Sequence, residues 1–213
     1  MPSVGLIHAT SLAIPPVREA FERLAPELRV LNLLDEALLT VLEADGSIGP
    51  RAVDRMARVV SLVRDADVGV IQLTCSAYSP LVPTLRQLAP VPVLAIDDVL
   101  VETAVERGRR IGLISSQPLT EKALRAAAER AGREIELESI VYRDAFVALG
   151  RGDGAEHDRL LGEKIAAFAD RDVIVLGQAS MARVEPTLPA DLAAKVLTSP
   201  TLAVTKSKEA LCL

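Results

Sequence analysis

The chain has 213 residues, half of them hydrophobic and only 2% aromatic, so it can bury a sizeable core, and that core must be built from Ala, Leu, Val and Ile. Twenty-nine acidic against 24 basic side chains give a net charge of −5. With no Lys/Arg cluster for a phosphate backbone and few rings for base stacking, nucleic acid is excluded as the expected partner. No apolar run of about 18 residues and no basic, leader-like N-terminus occur, so no membrane partner is expected and a cytoplasmic location is.

The first strand is expected at Val4-Gly5-Leu6-Ile7, ending at His8-Ala9-Thr10. Pro15 and Pro16 suit the first turn of a helix running to about Leu24, where a missing N–H donor is tolerated. Leu28 to Leu33 reads as a second strand, and Asp35 to Gly46 as a short helix or mobile cover closed by the Asp45-Gly46 turn. From Pro50 to Ala66, Val53, Met56, Ala57, Val60 and Val63 recur at helical spacing between arginines, which predicts an amphipathic helix. It leads into Val70-Ile71-Gln72-Leu73-Thr74-Cys75-Ser76, an apolar strand that opens into a turn.

Beyond Pro80 a helix is expected to about Leu88, then a strand over Val91 to Ile96, and a helix over Val99 to Glu106 capped by Asp97 or Asp98 and stopped by Gly108. Ile111 to Ile114 is the next strand, ending at Ser115-Ser116, with Thr120 and Glu121 opening a helix to Ala131. A strand over Ile135 to Ile140, a helix over Glu156 to Phe168 and a strand over Val173 to Leu176 follow, the last ending in Gly177-Gln178-Ala179-Ser180-Met181. Two further short segments lie after Leu192. Strands alternating with helices predict an α/β chain with a parallel sheet in each half.

The two halves echo one another. Val4-Gly5-Leu6-Ile7 matches Ile111-Gly112-Leu113-Ile114, and Val70 to Cys75 matches Val173 to Gln178. The repeat is one of supersecondary structure and implies two pseudo-symmetric lobes, with Cys75 and Gln178 on opposite walls of a cleft.

Ligands of parallel α/β sheets bind beyond the carboxyl ends of the strands, so the residues at those ends are the candidates for chemistry. Cys75 stands there between two hydroxyls, Thr74 and Ser76, where it has room for a substrate. A lone cysteine is more often a small core filler. Its place at a strand end is what favours an acid–base role. Cys212 sits in Ala-Leu-Cys-Leu and is expected to be a packed tail residue. Two cysteines make no disulfide framework, and only two histidines, His8 and His157, leave too few ligands for a zinc site; metal-free chemistry is expected.

The Thr74-Cys75-Ser76 turn, Ser115-Ser116 with Thr120 after the I-G-L-I strand, and the Gly177-x-x-x-Met181 turn together resemble the aspartate/glutamate/hydantoin racemase superfamily, which also holds maleate isomerases and arylmalonate decarboxylases. The resemblance implies two pseudo-symmetric α/β lobes, each a short parallel sheet flanked by helices, with the active site in the cleft between them. It also implies cofactor-independent proton transfer at a carbon next to a carboxylate, on a small carboxylate or amino-acid-like substrate, in a homodimer or higher homo-oligomer. The expected lobes are residues 1–97 with 199–213, and 98–198.

One residue departs from the pattern. Racemases of this group carry a second cysteine in the later turn, and this chain has Gln178. A thiol pair can remove a proton from one face and supply one on the other, which an amide cannot do at neutral pH. His8, on the same edge, is the candidate to orient Cys75 or to replace the missing thiol, since its pKa range suits either task. Oxyanion donors are sought among Thr10, Thr74, Ser76, Ser115, Ser116, Thr120, Gln178, Ala179 and Ser180, although hydroxyls at such turns serve equally as caps. Three readings follow: a racemase- or isomerase-type enzyme with Cys75 as its proton carrier, an arylmalonate-type decarboxylase with one protonating cysteine, and a carboxylate-binding protein without catalysis.

Overall fold

The computed structural model describes residues 1–213 and divides into two compact units, Met1–Ile96 with Pro200–Leu213, and Asp97–Ser199. In the first unit the elements run β1 (Ser3–His8), α1 (Ile14–Leu24), β2 (Arg29–Leu34), α2 (Ala37–Asp45), α3 (Pro50–Arg64), β3 (Val70–Leu73), α4 (Val82–Leu85) and β4 (Val93–Ala95). The strands form one parallel sheet in the order β2-β1-β3-β4. Both β1 and β3 are buried along their whole length, as expected of strands covered on two faces.

Helix α3 shows why this sheet has a covered face. Gly49 enters in extended conformation, Pro50 occupies the first turn without losing a needed donor, and Ala52, Met56, Val59, Val60 and Val63 form the buried stripe. Its polar side reaches Asp35, whose carboxylate takes two 2.7 Å bonds from Arg55 while also accepting from the amide of Ala37 at the start of α2. The Asp35 to Gly46 segment is therefore a helix, closed by Gly46 at φ 62, where the absence of a Cβ is needed.

The second unit repeats the plan. Its elements are α5 (Asp98–Arg107), β5 (Arg110–Ser115), α6 (Pro118–Arg130), β6 (Glu136–Val141), α7 (Arg143–Gly150), α8 (Gly154–Ala167), β7 (Val173–Leu176), α9 (Ala190–Ala193) and β8 (Val196–Leu197), with a parallel sheet in the order β6-β5-β7-β8. Its core packs Ile114, Leu161, Ile165, Phe168, Ile174, Leu176, Met181 and Val184 together. The last helix, α10 (Ser199–Ala210), packs on the first unit: Ser207 Oγ lies 2.6 Å from Gln72 Oε1 and Lys208 pairs with Glu27 at 2.8 Å.

The echo between the halves has a structural cause. Gly5 and Gly112 hold the same place in β1 and β5, and a Cβ on either would run into the helical layer above: 2.1 Å from Val63 Cγ1 for Gly5 and 2.8 Å from Phe168 Cγ for Gly112. Each glycine lets a helical segment lie directly on the central strand.

Several expectations need correction. The helix sought beyond Pro80 begins earlier and ends sooner: a 3-10 segment spans Ser76–Leu81 with Pro80 inside it, followed by the four-residue α4. Helix α7 was not expected. Pro118, not Thr120, opens α6 after Gln117 in extended conformation, and Thr120 lies buried inside it. The C-terminal segment is a twelve-residue helix, and Cys212 beyond it is exposed at φ 59 rather than packed.

Candidate active site

Parallel register brings the strand-end residues of the first unit together. Leu73 pairs with Ile7, so Thr74, the next residue, stands beside His8, while Asn32, paired with Leu6, approaches His8 from β2 on the other side. His8 is completely buried, its Nε2 is 2.9 Å from Asn32 Oδ1 and its Nδ1 2.8 Å from Thr74 Oγ1. Asn32 Oδ1 can only accept, so it fixes the proton on Nε2, and Nδ1 then accepts from the Thr74 hydroxyl. The Ile7 carbonyl, also 3.0 Å from Thr74 Oγ1, is already supplied by the Thr74 amide at 3.0 Å. The Thr74 hydroxyl thus reaches both His8 Nδ1 and the Ile7 carbonyl. Asn32 escaped the sequence reading, although a lone amide inside the apolar strand Val30-Leu31-Asn32-Leu33 was the available signal.

Burial pushes the pKa of His8 below its ordinary value, and the Asn32 bond offsets part of that. The unfolded chain therefore binds a proton at His8 more readily than the native state does, so this contribution is whole above about pH 6.5 and declines as pH falls through that value toward the lowered folded pKa. The urea midpoint is expected to drop between about pH 7.5 and 5.5, and to drop less in His8→Gln. Asp172, whose carboxyl the Arg110 amide holds low, acts only near and below about pH 4, outside that window. Equal slopes in wild type and His8→Gln would remove His8 as the cause.

Cys75 follows Thr74 as the half-buried residue that enters the 3-10 segment, at φ −115 and ψ 106, with its carbonyl taking the Tyr78 amide at 3.0 Å. Ser76 is buried at the first position of that segment. Tyr78 is buried too, its hydroxyl donating to the Leu38 carbonyl at 3.0 Å, and burial together with the nearby Cys75 holds the phenol well above its ordinary pKa. It is an anchor between this turn and α2, and stays protonated at neutral pH. Thr10 caps its own turn, accepting from the Leu12 amide at 3.3 Å.

The second unit has a matching turn. The Gly177 amide donates to the Ile114 carbonyl at 2.8 Å as the Thr74 amide does to Ile7, and the Met181 amide donates to the Gln178 carbonyl at 3.0 Å as Tyr78 does to Cys75. Gln178 enters a 3-10 segment at φ −122 and ψ 142. By backbone register, then, Gln178 is the counterpart of Cys75 within this chain. Its Oε1 accepts from the Ser116 amide at 2.9 Å, whereas its Nε2 is buried with no partner, as is the Ser116 hydroxyl. A buried donor left in that state costs about 1–3 kcal/mol. Ser115 is buried and donates to the Gln117 carbonyl at 3.3 Å, while Ala179 and Ser180 are buried at the start of the 3-10 segment. That segment is tied to α8 by Arg183, which forks onto Asp158 at 2.8 and 3.0 Å, with His157 Nδ1 2.8 Å from the same carboxylate. Glu185, without a role in the sequence, accepts from Thr198 Oγ1 at 2.5 Å and so links the segment to the end of β8.

The sequence profile of the Asp/Glu/hydantoin racemase family matches residues 7–206. The chain belongs to that family. Among solved structures with the family fold, allantoin racemase from Klebsiella pneumoniae is 17% identical at a TM-score of 0.76, covering 100% of this chain and 88% of its own. Glutamate racemase from Francisella tularensis subsp. tularensis SCHU S4, solved with D-glutamate, is 15% identical at a TM-score of 0.75, with 99% and 81% covered. Unliganded arylmalonate decarboxylase is 16% identical at a TM-score of 0.60, with 98% and 92% covered. At these identities the likeness concerns the fold. No curated protein sequence matches the chain. As in these Asp/Glu/hydantoin racemase folds, the chain carries two four-stranded parallel sheets flanked by helices.

Proposed function

We propose that the protein is an enzyme transferring a proton at a carbon α to a carboxylate, with Cys75 as its acid–base group and without PLP or a metal. The observation that carries this reading is the half-buried thiol at the carboxyl end of β3, in a chain that belongs to the Asp/Glu/hydantoin racemase family over residues 7–206. The thiolate takes the α-proton, and the electron pair of the broken C–H bond enters the carboxylate as an enediolate. The thiol then returns a proton to the same carbon. Turn amides and hydroxyls are the donors proposed to hold the growing negative charge, with Ser76 next to the thiol in the chain. His8 acts through Thr74 as a positioning residue, since both of its ring nitrogens are engaged. The substrate is a small carboxylate or amino-acid-like acid.

A second reading is favoured by Gln178, whose amide occupies the position that matches Cys75 by backbone register. In an arylmalonate-type decarboxylation the electron pair of the departing C–CO₂ bond forms the enediolate, and the Cys75 thiol protonates it once. The experiment is to incubate amino acids, 2-substituted acids and malonates in D₂O and follow α-hydrogen exchange together with CO₂. Exchange without CO₂ supports the first reading and CO₂ release the second. Binding of the acids with neither event would identify a carboxylate-binding protein.

A further inference from the structure

Two buried donors in the second unit have nothing to donate to. Ser116 is 1% exposed, its Oγ has no hydrogen-bond partner, and its amide is bound to Gln178 Oε1 at 2.9 Å. That bond also settles which way the Gln178 amide points: turning it over would set Nε2 against the Ser116 N–H, donor against donor. Nε2 is thereby directed away from the Ser116 backbone, and it too is buried without a partner. Two donors on residues joined by a hydrogen bond, both taken from water and both unanswered, mark a place prepared for an acceptor.

The chemistry of that acceptor follows from what surrounds it. The stretches that form the two turns, Ser115-Ser116-Gln117-Pro118-Leu119-Thr120 and Gly177-Gln178-Ala179-Ser180-Met181, contain no charged side chain. Arg183, two residues beyond the second stretch, is forked onto Asp158. Donors of this neutral kind suit a substrate oxygen with two lone pairs, as a carboxylate or a carbonyl offers. We infer that Gln178 Nε2 and Ser116 Oγ form an oxygen-binding subsite that takes one carboxylate or carbonyl oxygen of the substrate, so that Gln178 is a specificity-determining group in the turn and not a proton carrier. The inference deepens the reading above and rests on it for the choice of probes.

The test uses ¹⁵N-labelled full-length protein titrated with malonate, which offers carboxylates, and with hydantoin, which offers neutral carbonyls. The Gln178 side-chain NH₂ signals, assigned by their loss in Gln178→Met, are expected to shift on saturation with at least one probe, and the responding probe tells the two sources apart. Gln178→Met and Ser116→Ala are each expected to weaken that probe about tenfold, and Ser116→Thr, which keeps the hydroxyl, to restore it. Gln178→Glu, which keeps the acceptor toward the Ser116 amide but replaces the donor with an anion, should disfavour malonate more than hydantoin. Signals unmoved by both probes, as in a niche filled only by water, would overturn the subsite. The titration is repeated in Cys75→Ala. A Gln178 response there, with no α-hydrogen exchange ever found in the wild type, would sink the proton-transfer reading and leave the subsite standing; exchange in the wild type with Gln178 unresponsive would do the reverse.

Discussion

Cys75→Ala is expected to lower α-hydrogen exchange or decarboxylation by about 10²–10⁴-fold while leaving the fold intact. The size follows from the role: removing a positioned acid–base group forfeits the proton transfer itself, and Tyr78, the neighbouring candidate, is buried on the Leu38 carbonyl with its pKa raised. Cys75→Ser should be nearly as inactive, because a hydroxyl is a far weaker acid than a thiol at neutral pH. Thermal unfolding of both variants should stay near that of the wild type, since a half-buried residue at a strand end contributes little to the core. Thiol labelling gives a parallel check, provided that it is done in Cys212→Ser: Cys212 is exposed, and its reaction would mask that of Cys75. In that background a bound carboxylate should slow alkylation of Cys75 by iodoacetamide. Activity that survived in Cys75→Ala would end the proposal.

The largest effect on stability is expected at Gly5. A methyl group placed there would lie 2.1 Å from Val63 Cγ1, on a fully buried side chain of α3, and 3.3 Å from Val68. Val63 has no free direction to move, because α3 buries its whole apolar stripe on this side. Relief must come from lifting the helix or distorting β1, and overpacking of this kind costs about 1–3 kcal/mol, sometimes more. That is a considerable share of the roughly 5–15 kcal/mol that holds a domain together. Gly112→Ala meets Phe168 at 2.8 Å, a milder approach, and should destabilise less. Urea unfolding that ranks Gly5→Ala as the more damaging of the two would support this account, and a neutral Gly5→Ala would contradict it.

The two sheets were legible because their central strands announce themselves: apolar runs such as Val70–Leu73 and Val173–Leu176 ended by turn residues, alternating with helical stripes such as that of Pro50–Arg64. The match of Val4-Gly5-Leu6-Ile7 to Ile111-Gly112-Leu113-Ile114 pointed to strands that hold equivalent places in two sheets of equivalent order. What escaped was short. Arg143–Gly150 runs barely two turns with Ala145 as its only buried residue, too little for a helical period to show. The 3-10 segments Ser76–Leu81 and Ala179–Thr187 each enclose a proline, and read as loops. At the candidate site, Cys75 was singled out from its place at a strand end. The bonds that join His8 to Asn32 and Ser116 to Gln178 could not be, since they cross from strand to strand and need the register, which single-strand patterns do not carry.

In the proposed reaction one thiol, Cys75, handles the proton, with an amide at the matching position of the second sheet. The most direct test is the configuration of the product after exchange in D₂O, starting from a single enantiomer of an acid that the enzyme accepts. One acid–base group reaches one face of a planar enediolate, so deuterium should enter with retained configuration, exchange outrunning inversion by about 10²-fold or more. Inversion as fast as exchange would show a second proton carrier on the opposite face and contradict the single-thiol account.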